Sequence, residues 1–282
     1  MTTPQIIPCP VGFGKTADDL ERTPELIDRM KAMGLPVSDF IMGQPDFTKR
    51  DAKQLRASQT DPDDPDAPRR ISRYIKNQID KYQAIGITHW YVNHEYEDHS
   101  GLKAVIDPQD AKLTAAWYKQ LQQAFPHCPG SVYNALGVYA STPITTQTSI
   151  DSFKLLDREI HMDWVYANGY IKGYPTPLEI ALKNAQVVSQ CERLAQGRPV
   201  MLACQTRDRI LKTDAPIPMT LEGTNAWWAS ATALDVGYVI MYLPISERRN
   251  NERIDTFDDR IAELERLAPT ITQAIESAKI RA

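Results

Sequence analysis

The sequence contains few cysteines and no nucleotide-binding motif, and each absence excludes a class of function. Four cysteines occur among 282 residues. They are widely separated and form no CxxC pair, so a redox motif or cysteine-based metal site is not predicted, and buried, reduced thiols are expected. No GxGxxG follows a predicted strand, and Gly12, Gly14 and Lys15 lack the spacing of a phosphate-binding loop. No cofactor is therefore predicted.

The hydropathy and charge of the chain argue against membrane insertion and nucleic-acid binding. No run of about 18 apolar residues is present, as a transmembrane helix would require. The first residues lack a basic region followed by a long apolar core, so no signal peptide is predicted and the cytoplasm is the default location. The formal net charge is -4, and no basic stripe is available to neutralise phosphates. The sequence leaves the oligomeric state open.

Short β-prone runs alternate with amphipathic helical stretches, a pattern typical of βαβ units and a parallel sheet. Seven strands are predicted, at residues 5–13, 37–42, 89–93, 132–139, 162–166, 199–204 and 237–243. An eighth strand, from residues 141–149 or from part of the first segment, would complete a barrel. We therefore expect residues 1–282 to form one α/β domain, a TIM-type (β/α)8 barrel. Residues 49–69 are expected to form a polar surface loop.

Capping signals place several helices between these strands. Thr176 and Glu179 have the spacing of a capping box, and they open a helix that Gly197 ends. Gly34 and Gly86 end two earlier helices. Residues 220–234 and 258–278 have helical spacing near the end of the chain.

The segment from Gly86 to His99 is the most informative part of the chain. A β-prone apolar run there ends in a dense cluster of ionisable side chains. In parallel α/β proteins, ligands bind at the carboxyl ends of the strands. Alternate residues of a strand share a face, so one face is predicted to carry Tyr91, Asn93, Glu95 and Glu97.

Glu95 has a sequence environment suited to a proton donor. A carboxyl group among Trp90, Tyr91 and Tyr96 has its charged form disfavoured by desolvation. It would then keep a proton at neutral pH, as the acid of glycoside hydrolysis requires. Asn93, one layer below, would lie close enough to hydrogen-bond this carboxyl group.

Polar and aromatic side chains at other predicted strand ends would share the same rim. Sugars offer flat apolar faces flanked by hydroxyl groups, which suit aromatic platforms combined with Asn, Gln and Arg. Trp227 and Trp228 are adjacent and cannot both face one pocket. The predicted substrate-binding residues are Tyr91, Asn93, Tyr96, Glu97, Tyr166, Asn168, Gln205, Arg207, Trp227 and Tyr242.

The stretch from Tyr91 to Tyr96 resembles the DxDxE-Tyr strand motif of chitinase-like (family 18) glycoside hydrolases, and more loosely the DxE strand of hyaluronidases. The resemblance implies that Glu95 is the proton donor. Tyr91 and Asn93 stand where the family has Asp, so both of those carboxylates are missing. This departure weighs against the acetamido-assisted mechanism and against chitin as the substrate. Asn93 to Glu95 also resembles the Asn-Glu pair of the large retaining clan, with an inserted His.

A glycoside hydrolase-like protein that cleaves or binds a glycan, with Glu95 as general acid, is the function predicted. The second carboxylate stays open among several candidates, which in order are Asp163, Glu222, Asp208 and Glu97. One alternative is a catalytically inactive barrel that binds a glycan or a protein. Another is a metal-dependent sugar enzyme that uses the cluster from His94 to His99, although Asp at position 98 breaks the HExxH motif.

Overall fold

The computed structural model describes residues 2–10, 21–44, 79–92, 114–115, 118–119, 121–133, 135, 147–169, 176–205, 207–209, 216–218, 220–243, 246–249 and 252–280. Its strands are β1 (Gln5–Cys9), β2 (Met42–Gly43), β3 (His89–Val92), β4 (Gly130–Val132), β5 (Val165–Asn168), β6 (Val200–Gln205), β7 (Arg207–Arg209), β8 (Pro216–Pro218), β9 (Tyr238–Tyr242), β10 (Ser246–Arg249) and β11 (Glu252–Asp255). Its helices are α1 (Thr23–Ala32), α2 (Gln147–Ile160), α3 (Pro177–Ala195), α4 (Leu221–Ala233) and α5 (Phe257–Ile280). Residues 79–85 are helical as well.

Seven of these strands are parallel and follow one another in barrel order. One sheet has the order β1-β9-β6-β5 and another has the order β2-β3-β4. An isolated parallel bridge between Ile6 and Val37 connects β1 to the segment before β2. Between β4 and β5, the Asp163 amide donates to the Gly130 carbonyl at 3.0 Å. Because β9 pairs with β1, the last parallel strand lies beside the first.

The two faces of the parallel strands pack into two separate apolar clusters. The larger cluster includes Leu202, Trp227 and Leu264, and it lies between the strands and the helices. Every parallel strand, or the residue directly before or after it, supplies the smaller one, which we call the interior cluster. Its buried members are Ile7, Cys9, Met42, Tyr91, Tyr133, Trp164, Tyr166, Met201, Ala203 and Ile240, with Phe40, Tyr238 and Tyr242 packed against them.

Parallel strands with helices between them and an interior cluster on one face define the fold as a TIM-type α/β barrel, as predicted. An eighth parallel strand is not among the described residues. Of the predicted candidate, residues 147–149 belong to α2, and residues 141–146 lie outside the described ranges, as does the predicted loop at residues 49–69.

Two antiparallel ribbons follow the carboxyl ends of β6 and β9, and the sequence did not predict either. β7 pairs with β8, and β10 pairs with β11. They lie after the carboxyl ends of two parallel strands, which is the side of the barrel where ligands bind.

The local helix signals identified in the sequence are confirmed. Thr176 Oγ1 accepts from the Glu179 amide at 3.3 Å, while the Glu179 carboxylate accepts from the Thr176 amide at 2.7 Å. The predicted helix starting at Thr220 is α4, and Thr220 Oγ1 caps it by accepting from the Gly223 amide. In the described ranges, no helix has the length and apolar character that a membrane crossing needs.

Candidate functional site

Three tyrosines form the centre of the interior cluster. The Tyr133 and Tyr166 ring centroids lie 4.9 Å apart, and Tyr91 lies 5.2 Å from Tyr166 and 6.0 Å from Tyr133. Trp164 meets Tyr91 edge-on at 6.2 Å. All four rings are buried. They form an aromatic wall on the interior face of the parallel strands, and two of them, Tyr91 and Tyr166, were predicted site residues.

A hydrogen-bonded chain connects this wall to two neighbouring strand ends. The Tyr91 hydroxyl donates to Gln44 Oε1 at 2.9 Å and lies 3.6 Å from Cys9 Sγ. Cys9 ends β1, and Gln44 directly follows β2. Burial raises the pKa of the Cys9 thiol to about 12, so this thiol keeps its proton at neutral pH. Tyr91 therefore lies between two fixed polar groups near the carboxyl ends of the strands.

Further predicted site residues lie at the same ends of their strands. Asn168 is the last residue of β5 and is buried. Tyr242 is the last residue of β9, where it packs against the interior cluster. Gln205 ends β6, opposite Tyr242 in the pairing of those strands. The structure thus brings Tyr91, Tyr166, Asn168 and Tyr242 to one region, and it brings the backbone of Gln205 there too.

Asp163 does not lie at these carboxyl ends, so its predicted place on the rim is wrong. The fifth strand was expected at residues 162–166, but it spans Val165–Asn168. Asp163 precedes the strand, and its carboxylate accepts from the Gly130 amide at 2.8 Å and from the Tyr118 hydroxyl at 3.2 Å. These contacts hold the amino ends of β4 and β5 together, so the carboxylate stabilises the sheet at the edge opposite the candidate site.

His89 belongs to this amino edge as well. Its ring lies 4.3 Å from the Phe40 ring, and Nδ1 lies 3.0 Å from Thr88 Oγ1. Burial lowers the pKa of His89, and the nearby charge of Asp163 opposes this shift. His89 is therefore a neutral packing residue at neutral pH.

Trp227 and Trp228 belong to the helix–sheet layer, which corrects the prediction that Trp227 binds substrate. Both side chains are buried in the larger cluster. The Trp227 indole N–H donates to the Gly169 carbonyl at 3.1 Å, so its polar atom is already used. Glu222 lies exposed in the first turn of α4, where a carboxylate interacts favourably with the helix dipole.

Several predicted residues lie where the structure gives no side-chain account. Arg207 and Asp208 belong to β7 by their backbone alone. The residues outside the described ranges are Asn93, His94, Glu95, Tyr96, Glu97, Asp98 and His99. The described strand β3 ends at Val92, directly before them.

Gln44 and Tyr133 are the site residues that the sequence reasoning missed. Each directly follows a parallel strand, β2 or β4. This is the same signal that selected Asn168 and Gln205, but β4 was predicted too late in the chain, and the second strand was predicted to end at residue 42, two residues before Gln44. The signal was present, and the strand boundaries concealed it.

The described part of the site offers aromatic faces, hydroxyl groups and amides. Among the described residues, the interior cluster and its hydrogen-bonded neighbours include no carboxylate and no cation. No group of three or more metal-ligating side chains occurs there either. Such a lining is suited to a neutral polar ligand.

Comparison with known proteins supports the fold. No family model matches the chain, and no curated protein matches it. A protein provisionally assigned as an alpha-L-fucosidase, from Bacteroides thetaiotaomicron VPI-5482, is similar in structure with a TM-score of 0.50 at 7% identity, over 96% of this chain and 94% of that one.

Two further solved structures superpose less well. Bee venom hyaluronidase has a TM-score of 0.49 at 11% identity, over 71% of this chain and 78% of that one. A xylose isomerase-like TIM barrel protein from Mycobacterium smegmatis, in complex with magnesium, has a TM-score of 0.40 at 14% identity, over 97% and 98% of the two chains. At such identities a structural likeness shows the fold alone, and this fold serves glycoside hydrolases and other enzymes alike.

Proposed function

We propose that this protein acts on a carbohydrate, which binds at the carboxyl ends of the parallel strands and is cleaved with Glu95 as the general acid. The observation that carries the proposal is the tyrosine wall formed by Tyr91, Tyr133 and Tyr166, next to the amides of Gln44 and Asn168. Aromatic faces with a few fixed polar groups match the alternating apolar and hydroxyl surfaces of a sugar.

The orientation of β3 supports the role proposed for Glu95. Tyr91 is on the face of β3 that joins the interior cluster. Side chains two residues apart share a face of a strand, so this alternation predicts that Asn93 and Glu95 continue the same face beyond Val92. A carboxyl group there, close to aromatic rings and remote from bulk water, would keep the proton that it donates to the leaving oxygen.

The proposed cleavage also needs a second carboxylate at the rim. Asp163 lies at the opposite edge of the sheet, which leaves Glu222, Asp208 and Glu97 as the proposed candidates. Two carboxyl groups about 5 Å apart would give retention of configuration, and about 6.5–9.5 Å would give inversion.

A panel of chromogenic aryl glycosides, including fucosides, tests this proposal. The wild type is expected to hydrolyse at least one of them, and Glu95→Gln is expected to lower kcat by about a hundredfold or more, because general acid catalysis contributes 10²- to 10⁴-fold. Glu276→Gln is the matched control, since Glu276 is an exposed glutamate near the end of α5. Unchanged turnover in Glu95→Gln would refute the role of Glu95.

The same panel separates the other two functions that the sequence leaves open. Glycoside binding without turnover, equal in the wild type and in Glu95→Gln, would identify a binding module. Turnover that is lost with a chelator and restored with a divalent metal would identify a metal-dependent enzyme, which would direct attention to the residues from His94 to His99.

A further inference from the structure

Gln44 is fixed by two tyrosine hydroxyl groups, one on its main chain and one on its side chain. The Tyr82 hydroxyl donates to the Gln44 carbonyl at 2.5 Å. The Tyr91 hydroxyl donates to Gln44 Oε1 at 2.9 Å. Gln44 is 6% exposed, so this residue directly after β2 is buried, with both its main chain and its side chain hydrogen-bonded.

The hydrogen-bonded chain sets which end of the amide is used. A tyrosine hydroxyl has one proton, and that of Tyr91 goes to Gln44 Oε1. Cys9 Sγ, 3.6 Å from the Tyr91 oxygen, is therefore the donor in that contact. The order of the chain is Cys9 to Tyr91 to Gln44. The oxygen of the Gln44 amide accepts from Tyr91, and the two N–H groups on Nε2 make no hydrogen bond to a described residue.

The backbone at Gly43 keeps Gln44 in this place. A Cβ atom at Gly43 would lie 2.6 Å from Ile87 Cδ1 and 3.3 Å from Tyr82 Cδ1. The absence of a side chain lets β2 pack closely on Tyr82 and Ile87, and that contact brings the Tyr82 hydroxyl to the Gln44 carbonyl. Tyr82, Ile87 and Tyr91 thus determine the position of the Gln44 amide.

We propose that Gln44 is a ligand-binding residue whose side-chain N–H groups donate to a hydroxyl oxygen of a neutral sugar, and that Tyr91 is the residue that positions it. The identity of the ligand rests on the proposed function. A neutral ligand is favoured because the described hydrogen-bonded chain around Gln44 consists of two tyrosine hydroxyls and the Cys9 thiol, which contacts Tyr91, and it includes no cation to balance an anionic ligand. A donor that loses its water on ligand binding and meets no acceptor is costly, so a ligand that supplies an acceptor to these N–H groups is preferred.

Binding titrations with three variants test the assignment, with the methyl glycoside that binds the wild type best as the probe. Gln44→Met removes both N–H donors and keeps the length of the side chain, and about a tenfold loss of affinity is expected. Tyr91→Phe frees the amide to rotate and is expected to cost about fivefold. Tyr118→Phe is the control, because it removes a buried tyrosine hydroxyl that bonds at the amino edge of the sheet, away from Gln44, and its affinity is expected to stay within about twofold of wild type.

Monodeoxy analogues of the same glycoside separate direct contact from a purely structural role. With the wild type, one analogue is expected to bind about tenfold more weakly than the parent sugar. With Gln44→Met, the same analogue and the parent sugar are expected to bind equally tightly. Equal discrimination by the wild type and Gln44→Met, for every analogue, would overturn the assignment.

The outcomes distinguish failure of this inference from failure of the proposed function. If glycosides are bound and cleaved in a Glu95-dependent way but Gln44→Met binds them normally, this inference is wrong and the proposed function stands. If no glycoside is bound or cleaved, the proposed function is wrong. The Gln44 side-chain amide resonances, identified by their loss in Gln44→Met, are then titrated with acetamide. A saturable shift that disappears in Tyr91→Phe would uphold the donor site, and no shift would overturn it.

Discussion

Replacing Arg198 by Met is expected to cost about 3 kcal/mol of unfolding free energy, at the lower end of the 3–5 kcal/mol measured when one partner of a buried ion pair is removed. The Arg198 guanidinium uses all its donors in five hydrogen bonds. Two go to the Asp157 carboxylate, at 2.6 and 2.8 Å, and three go to main-chain carbonyls. The two side chains are 12% and 14% exposed, so solvent screens the pair only in part.

Because this pair lies away from the candidate site, its loss is expected to lower stability and to leave ligand binding unchanged. Asp157 lies in α2, and Arg198 lies between α3 and β6. Arg198 also donates to the Met162 carbonyl at 2.7 Å, just before β5. The guanidinium therefore joins two helices to the amino ends of two strands, at the edge opposite the candidate site. Affinity for a glycoside is expected to be the same in Arg198→Met as in the wild type.

Urea unfolding followed by circular dichroism measures this loss of unfolding free energy. The m value, which is the slope of the unfolding free energy against urea concentration, is expected to stay constant. Arg198→Lys should fall between wild type and Arg198→Met, because ammonium offers three donors without the planar fork. Arg29→Met is the control, since Arg29 and Glu265 form an exposed pair at 3.1 Å that is worth about 0–1 kcal/mol. Combining Arg198→Met with Asp157→Asn should cost clearly less than the sum of the single changes. A loss below about 1 kcal/mol, or full additivity, would refute this account.

Three further predictions concern stability and reactivity. Burial lowers the pKa of His89 below its ordinary 6.5, so the unfolded chain takes up a proton here at a higher pH than the folded chain does, and the unfolding free energy falls as the pH drops below 6.5. Urea unfolding at pH 7.5 and pH 5 should therefore show a smaller fall in unfolding free energy for His89→Gln than for wild type. Gly169→Ala places a Cβ 2.6 Å from the Ala203 carbonyl oxygen and should lower the unfolding free energy by about 1–3 kcal/mol. Gly237→Ala should lower it far less, because a Cβ there meets nothing within 4 Å. Equal losses of unfolding free energy in the two variants would contradict the packing argument. Iodoacetamide should label Cys128 before the other thiols, because Cys9, Cys191 and Cys204 are buried and burial raises the pKa of each; mass spectrometry of the native protein checks the order, and early labelling of Cys191 would contradict it.

Strand ends were the weak point of the sequence prediction. The strand predicted at residues 132–139 spans Gly130–Val132, and the one predicted at 162–166 spans Val165–Asn168. Alternation identifies a strand, but its two ends depend on which neighbour it pairs with. A shift of a few residues moved Asp163 to the opposite edge of the sheet and left Tyr133 out of the predicted site.

The sequence alone determined the seven parallel strands, the capped start of α3 at Thr176, the helices α4 and α5, and the strand-end positions of Tyr91, Asn168 and Tyr242. These features depend on periodicity and on contacts between residues close in the chain. Only the tertiary structure decided that Gln44, 47 residues before Tyr91, shares a hydrogen bond with it, and that Arg198 binds Asp157. Such pairs form because parallel register brings distant strand ends and helix ends to one place, and no local pattern records which of them will meet.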